Sequence, residues 1–276
     1  MKKRFLIGGF VLVALALAAI FLDPSHTILA FVKGERFYQG RSASAWRNAL
    51  LDRAPSARTN TMKTLAEGKA EAVPVLVELL RRDQRGNSAE VRWTAADILG
   101  QIGPDAADAT PALGQALADD DPLVRRVAAE SLGKIGPPAS AAVPALAAML
   151  QSEDRIYAVK ALIRFKTAAR DAAPALIAVL KDPSPEVRWN ACEALGDMQA
   201  KAAVSALQDL LADPEDRVRE HAAEALGEIG PDAAAAVPAL RRLLADPDAG
   251  VREEAIKALK RIDPTSPVPS SGKKSD

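Results

Sequence analysis

The chain has few of the residues from which metal sites, disulfides and catalytic centres are built. Among its 276 residues there is one cysteine, Cys192, and there are two histidines, His26 and His221. One cysteine excludes an internal disulfide, and three soft ligands are too few for a structural zinc site. Neither Cys192 nor His221 belongs to a recognisable catalytic set. We therefore predict no metal, no cofactor and no catalytic residues.

Aromatic side chains and net charge are also scarce. Aromatic residues make up 4% of the sequence, so a core must be built from Ala, Leu and Val. Lys+Arg and Asp+Glu both number 36, which gives a formal net charge of zero. This balance gives no reason to expect a nucleic-acid partner. Nothing in the composition indicates a small-molecule substrate either.

The N-terminus carries the clearest targeting signal. Lys2-Lys3-Arg4 precedes an uncharged apolar run from Phe5 to Leu22. These residues would rise about 27 Å as a helix, close to the thickness of a bilayer core of about 30 Å. We predict that residues 1–22 form a transmembrane signal anchor with a cytoplasmic N-terminus, which places the rest of the chain on the extracytoplasmic side. The alternative is a signal peptide cleaved near Ala16-Leu17-Ala18, which would leave a secreted or periplasmic protein.

After a predicted membrane-proximal linker at residues 23–41, the sequence repeats itself. An arginine recurs at spacings of 30 to 34 residues, at Arg58, Arg92, Arg125, Arg155, Arg188, Arg219 and Arg252. Counted from each arginine, position +7 is always leucine, +3 is alanine in six of seven cases and +4 is apolar. Together with −1, these positions form one stripe of an α-helix. Cys192 lies in the stripe and is interpreted as a small core residue.

A second helix is predicted before each arginine helix. It begins at a proline in most repeats, as in Val143-Pro144 and Val237-Pro238, where the missing N–H has no partner to lose. Turns such as "DPSPEVR" connect the two helices, and "LGxIGP" motifs end several arginine helices. Helix pairs with a period near 32 residues indicate a solenoid.

The segment "VPALRRLLADPDAGVREEAIKAL", residues 237–259, resembles the HEAT repeats in the short form also found in phycobilin lyases. The resemblance covers residues 42–262 and implies an all-α solenoid of about seven helix pairs after the N-terminal helix. The tail at 263–276 is rich in Pro, Ser and Lys and has no apolar stripe, so we predict that it is disordered. In that family the turn aspartate and the arginine six positions later form a hydrogen-bonded ladder between neighbouring repeats. The matching residues here are Asp119, Arg125, Asp182, Arg188, Asp213, Arg219, Asp246 and Arg252.

Two repeats depart from the ladder pattern. The repeat of Arg155 lacks the turn aspartate, and Gly86 stands six positions before Arg92. We therefore expect the ladder to be interrupted at both places. The alternative role for the arginine column is a row of anion-binding side chains.

The resemblance further implies that the arginine helices line the concave face. On these helices position +5 is charged in every repeat, while position +1 carries Trp93 and Trp189. Exposed indoles forgo about 1.5–3 kcal/mol of burial each, and Trp and Arg are typical interface anchors. The candidate partner-binding residues are Trp93, Arg126, Ile156, Tyr157 and Trp189. Packing between adjacent repeats is the alternative explanation.

Two functions remain open from the sequence. The first is a non-enzymatic, membrane-tethered scaffold whose concave face binds a protein or peptide partner. The second is an enzyme of the lyase or hydroxylase type that is hosted on the same repeats. The scarcity of clustered titratable residues favours the scaffold, because catalysis requires groups that converge in space.

Overall fold

The computed structural model describes residues 27–82 and 87–265. The predicted anchor at residues 1–22, Gly86 and all of the predicted tail after residue 265 lie outside these ranges. Within them, no helix combines the length and the apolar character needed to cross a bilayer. The chain divides into two compact units, Met1–Ile102 and Gly103–Asp276.

The described part of the N-terminal unit, residues 27–82 and 87–102, contains a short hairpin and five helices. Its elements are α1 (Thr27–Val32), β1 (Phe37–Tyr38), β2 (Arg41–Ser42), α2 (Ala43–Leu50), α3 (Pro55–Glu67), α4 (Lys69–Leu80) and α5 (Ala89–Ile102). The strands are antiparallel, with Phe37 opposite Ser42 and Tyr38 opposite Arg41. The segment predicted as a linker thus contains, from residue 27 onward, a helix and most of a hairpin.

Trp46 on α2 holds the hairpin in place. The indole is 2% exposed, and its Nε1–H donates to the carbonyl of Tyr38 at 3.1 Å. The Arg41 guanidinium lies 4.4 Å from the indole centroid, and the Tyr38 ring is 5.8 Å away. Gly68 is required on the other side of Tyr38, because a Cβ at this position would lie 2.3 Å from the phenol oxygen.

The C-terminal unit consists of ten helices in five pairs within its described part, Gly103 to residue 265. These are α6 (Thr110–Ala116) and α7 (Pro122–Ile135), α8 (Val143–Met149) and α9 (Arg155–Phe165), α10 (Ala173–Val179) and α11 (Pro185–Asp197), α12 (Val204–Leu210) and α13 (Asp216–Ile229), and α14 (Val237–Arg242) and α15 (Ala249–Ile262). Stretches of 3₁₀ helix precede the first member of each pair, and the longest are Gly103–Ala109, Lys166–Ala172 and Gly230–Ala236.

The second helices of successive pairs pack directly against one another and form a continuous layer. We call α7, α9, α11, α13 and α15 the arginine-helix layer, because each carries one of the repeating arginines. The predicted stripe is its buried side: on α11, Val187, Ala191, Cys192 and Leu195 are all nearly inaccessible to solvent. Small alanines allow close helix approach, so the periodic core builds the layer without large aromatic residues.

The helices begin and end where the sequence motifs predict in most places. Gly136 and Gly230 have φ of +71° and +74° and end α7 and α13, as the glycine-proline motifs predict. Lys166 occupies the equivalent place after α9 with φ of +49°, a strained backbone for a residue with a Cβ. The prediction that a proline begins the first helix of each pair is wrong at Val73-Pro74, since α4 begins at Lys69 and contains Pro74 in its interior.

Candidate partner-binding face

A ladder of arginine–aspartate contacts joins neighbouring repeats along one edge of the arginine-helix layer. Arg188 donates from Nε and Nη2 to the two carboxylate oxygens of Asp213 in the next repeat, at 2.9 and 2.8 Å. Its Nη1 donates to the carbonyl of Asp182 in its own turn, at 2.9 Å. Arg219 repeats the arrangement on the Asp246 carboxylate and the Asp213 carbonyl. Asp213 therefore binds two arginines, because its carboxylate accepts from Arg188 and its backbone carbonyl accepts from Arg219.

The ladder continues through the repeat of Arg155, where the sequence predicted an interruption. Asp154 stands directly before Arg155, is completely buried, and accepts from Arg125 Nε at 2.7 Å and from Arg126 Nε at 2.6 Å. Arg155 in turn donates to the carboxylate of Asp182. The turn before Arg155 is shorter than the other turns, but Asp154 places its carboxylate at the ladder position that the turn aspartates occupy in the other repeats.

Arg125 and Arg252, the first and last repeating arginines of the C-terminal unit, each also bind a backbone carbonyl of their own turn. Arg125 Nη1 donates to the Asp119 carbonyl at 3.0 Å, and Arg252 Nη1 donates to the Asp246 carbonyl at 2.6 Å. In the N-terminal unit, Arg92 Nη1 donates to the carbonyl of Asn87 at 2.8 Å. The second place of expected interruption, Gly86, is outside the described residues.

The electrostatics of the ladder agree with its geometry. The hydrogen bond from Arg219 holds the pKa of the Asp246 carboxyl below its usual range, and the Asp213 carboxylate raises the pKa of Arg188. Burial alone would raise the pKa of Asp154, but hydrogen bonds from Arg126 and Arg125 lower it overall. These guanidinium groups are engaged in repeat-to-repeat contacts, which leaves few donors for an external anion.

The predicted partner-binding residues are partly buried and already in contact with neighbours. The Arg217 guanidinium from the next repeat lies 4.0 Å from the Trp189 ring centroid. Arg126, besides binding Asp154, lies 5.5 Å from the centroid of Tyr157. Ile156 precedes this tyrosine and is also partly buried. Trp93 is partly buried on α5 in the N-terminal unit.

The structure thus brings Arg126 together with Tyr157 and places Trp189 under a cation. Both contacts run between adjacent repeats, as the packing alternative expected. Each ring still retains accessible surface. Whether these residues also bind a partner stays a prediction.

Two surface cavities lie between neighbouring helices of the layer, and Tyr157 lines one of them. One, of about 590 Å³, lies between α7 and α9 and is lined by Glu130, Gly133, Lys134, Tyr157, Lys160, Ala161 and Arg164. The other, of about 620 Å³, lies between α9 and α11 and is lined by Lys160, Ile163, Arg164, Lys166, Asn190, Glu193 and Asp197. Lys160 and Arg164 belong to both. Of the lining residues only Tyr157 was a predicted site residue, although the charged column at +5 pointed to Lys160 and Glu193.

The missed residues belong to a second charged column, at position +9. Lys134, Arg164, Asp197, Glu228 and Arg261 occupy it on the five arginine helices in order. Because +5 and +9 are one helical turn apart, the two columns share a face. Extending the offset count by four residues would have found them.

The sequence matches the family model for HEAT repeats at residues 84–157, 152–227 and 210–270, which together span more than half of the chain. The chain belongs to the HEAT repeat family. No curated protein matches it.

Solved structures with similar folds include an engineered protein, at 25% identity and a TM-score of 0.57, covering 89% of this chain and 72% of that chain. A designed armadillo repeat protein is 23% identical with a TM-score of 0.53, covering 69% of this chain and 100% of that chain. The complex of CpcE and CpcF of phycocyanin lyase from Nostoc sp. PCC7120 matches at 24% identity and a TM-score of 0.45, covering 83% and 96%. These likenesses concern the fold.

The reactive side chains of this HEAT repeat protein are occupied structurally. The Cys192 thiol is buried, and burial raises its pKa well above the usual range, so it stays protonated and unreactive at neutral pH. His221 Nδ1 lies 3.2 Å from the Glu224 carboxylate and lowers the pKa of that group. Within residues 27–82 and 87–265, no three His, Cys, Asp or Glu side chains are grouped so that they could hold a metal ion.

Proposed function

We propose that this HEAT repeat protein is a membrane-tethered, non-enzymatic scaffold that binds a protein or peptide partner. The partner would lie on the exposed side of the arginine-helix layer, which the HEAT resemblance makes the concave face. The observation that carries the proposal is the pair of adjoining cavities on this side, one of which is lined by the partly exposed ring of Tyr157. Aromatic rings beside charged side chains are typical anchors of protein interfaces.

The engagement of the reactive groups supports a binding role over catalysis. The thiol of Cys192 is buried among core alanines, and His221 has the single acidic neighbour Glu224 on its own helix. The ladder arginines are bound to aspartates rather than directed into the cavities. Most of the side chains that line the cavities are charged, which suits the recognition of a charged partner segment.

The tether is proposed from the sequence of residues 1–22. An apolar run preceded by Lys2-Lys3-Arg4 has the length and charge asymmetry of a signal anchor, with the repeats on the extracytoplasmic side. Alkaline extraction of native membranes, followed by proteolysis of intact cells, tests this part. Release of the protein by alkali would contradict the anchor, and protection from external protease in cells with a permeabilised outer envelope would contradict the orientation.

The binding face is tested by substitution of its aromatic residues. We expect Trp189→Ala to lower partner capture by crosslinking in native membranes, because it removes a partly exposed ring from the face while leaving the core stripe of α11 intact. Arg242→Ala, an exposed change on α14 in the other helix layer, is the matched control. Circular dichroism establishes that both variants are folded. Equal capture by the wild type and a folded Trp189→Ala protein would remove this ring from the proposed interface.

A further inference from the structure

On the exposed side of the arginine-helix layer, the charged columns at positions +5 and +9 have one sign on α9 and the opposite sign on α11 and α13. On α9 both column residues are basic, Lys160 and Arg164. On α11 and α13 all four are acidic, Glu193, Asp197, Glu224 and Glu228. Because packed helices are about 8–10 Å apart, a basic ridge lies directly beside an acidic zone.

Arg164 is the side chain on the basic ridge that the fold leaves available. It is exposed, borders both cavities and forms no ion pair with any described residue. Lys160, its neighbour one turn away, pairs with Glu186 at 2.8 Å, with both side chains about half exposed. An ion pair this exposed is weak and exchanges readily for another carboxylate. The ridge therefore presents one open guanidinium and one ammonium group at the wall between two cavities.

The acidic zone is crowded by comparison. Glu228 on α13 lies against Gly196 of α11, so closely that a Cβ at Gly196 would be 2.3 Å from the Glu228 Oε2. Burial, with Glu224 and Asp197 nearby, raises the pKa of Glu228 to about 7, while Arg261 opposes the shift.

We propose that the cavities beside Arg164 bind an extended protein segment that carries a carboxylate and, about 10 Å along, a cationic side chain. The carboxylate would bind Arg164 and Lys160, and the cation would lie over Glu193 and Asp197 in the adjoining cavity. This inference rests on the proposed scaffold function and specifies the chemistry of its partner. About three residues of extended chain span one helix-to-helix step.

A bipolar peptide fits this surface better than a polyanion does. The cavity that contains Arg164 is also lined by Glu193 and Asp197, so a nucleic acid that approached the arginine would meet two carboxylates on the opposite wall. A uniformly basic segment would be repelled by Lys160 and Arg164 in the same way. Mixed charge in a fixed order meets neither repulsion.

The test uses the full chain in detergent and three fluorescent peptides of about nine residues, which reach about 30 Å when extended. One peptide has a pair of Glu residues followed after three neutral residues by a pair of Lys, one has Glu at all four positions and one has Lys at all four. Fluorescence anisotropy measures their affinities. We expect the mixed peptide to bind at least about ten-fold more tightly than either uniform peptide. We also expect Arg164→Glu to weaken its binding by about ten-fold or more.

The matched control is Lys181→Glu, which makes the same change of charge at an exposed position outside both cavities. Arg164→Gln tests the loss of charge without reversal, should the glutamate variant fold poorly. The proposal is overturned by equal binding of all three peptides, by unaltered affinity in folded Arg164→Gln, by equal losses in the Lys181 control, or by tighter binding of a single-stranded oligonucleotide. If partner capture in membranes depends on Trp189 but not on Arg164, the scaffold function stands and this inference fails.

Discussion

Removal of one ladder arginine should destabilise the solenoid by much more than removal of an exposed ion pair between the same kinds of elements. Arg188 and Asp213 are 2.8 Å apart, and their side chains are 11% and 6% exposed. In Arg188→Ala the Asp213 carboxylate remains buried without its bidentate partner. Breaking a buried pair in this way costs about 3–5 kcal/mol. Because Asp213 retains a hydrogen bond from the Glu215 N–H at 3.0 Å, we expect a loss near the lower end, about 3 kcal/mol.

Lys201→Ala is the matched control for this prediction. Lys201 and Asp232 also join adjacent repeats at 2.8 Å, but their side chains are 70% and 48% exposed. Exposed pairs of this kind contribute about 0–1 kcal/mol, so this variant should unfold almost like the wild type.

Urea unfolding followed by circular dichroism measures both losses, and hydrogen exchange of α11 and α13 locates them. Arg188→Ala combined with Asp213→Asn should recover part of the stability, because the amide removes the uncompensated charge. A loss below about 1 kcal/mol for Arg188→Ala, or a double variant no more stable than the single one, would refute the account of the ladder.

Two further predictions concern the buried carboxyl of Glu228 and the packing around Gly68. Burial raises the pKa of Glu228 to about 7, so the folded protein binds this proton more tightly than the unfolded chain does. Stability should therefore fall as the pH rises from about 4.5 to 7, and Glu228→Gln should remove that part of the pH dependence. Thermal unfolding at pH 5 and pH 8 measures this, and an equal change of stability in the wild type and the variant would contradict the prediction. Gly68→Ala should destabilise the N-terminal unit by about 1–3 kcal/mol in urea unfolding, because the added Cβ collides with Tyr38. Gly114→Ala on α6 is the control and should be neutral or stabilising, because its added Cβ meets no atom within 4 Å. Similar effects of the two substitutions would contradict the packing around Gly68.

The repeating part of the fold could be predicted because its physics is local and recurs. A stripe of Ala, Leu and Val at helical spacing is sufficient to define which side of α11 is buried. The hairpin of the N-terminal unit has no such period. Its position depends on individual contacts that no spacing rule encodes, such as the Trp46 indole on the Tyr38 carbonyl and the Arg36 N–H on the Glu78 carboxylate.

The ladder shows where alignment by spacing misleads. Counting six residues back from Arg155 finds no aspartate, yet Asp154 occupies the ladder site from the adjacent position. The ladder requires a buried carboxylate between two arginines at this place. An aspartate six residues before the arginine is the most frequent way in which this chain supplies it. The sequence signal that remains is an aspartate anywhere in the turn.

The residues that repeat and those that do not therefore have different roles. The repeating arginines, aspartates and stripe residues are engaged in contacts between neighbouring repeats. A partner would therefore be recognised by the positions whose residues differ from one repeat to the next. Those positions are +1, +5 and +9, and at +5 and +9 α9 is basic whereas α11 and α13 are acidic. Packing does not require this order of charges, since the side chains involved lie outside the core stripe, and the crowding around Glu228 opposes its ionisation. Under the proposed function, this order of charges would be matched by a segment whose carboxylate binds beside Arg164 and whose cation lies beside Glu193 and Asp197.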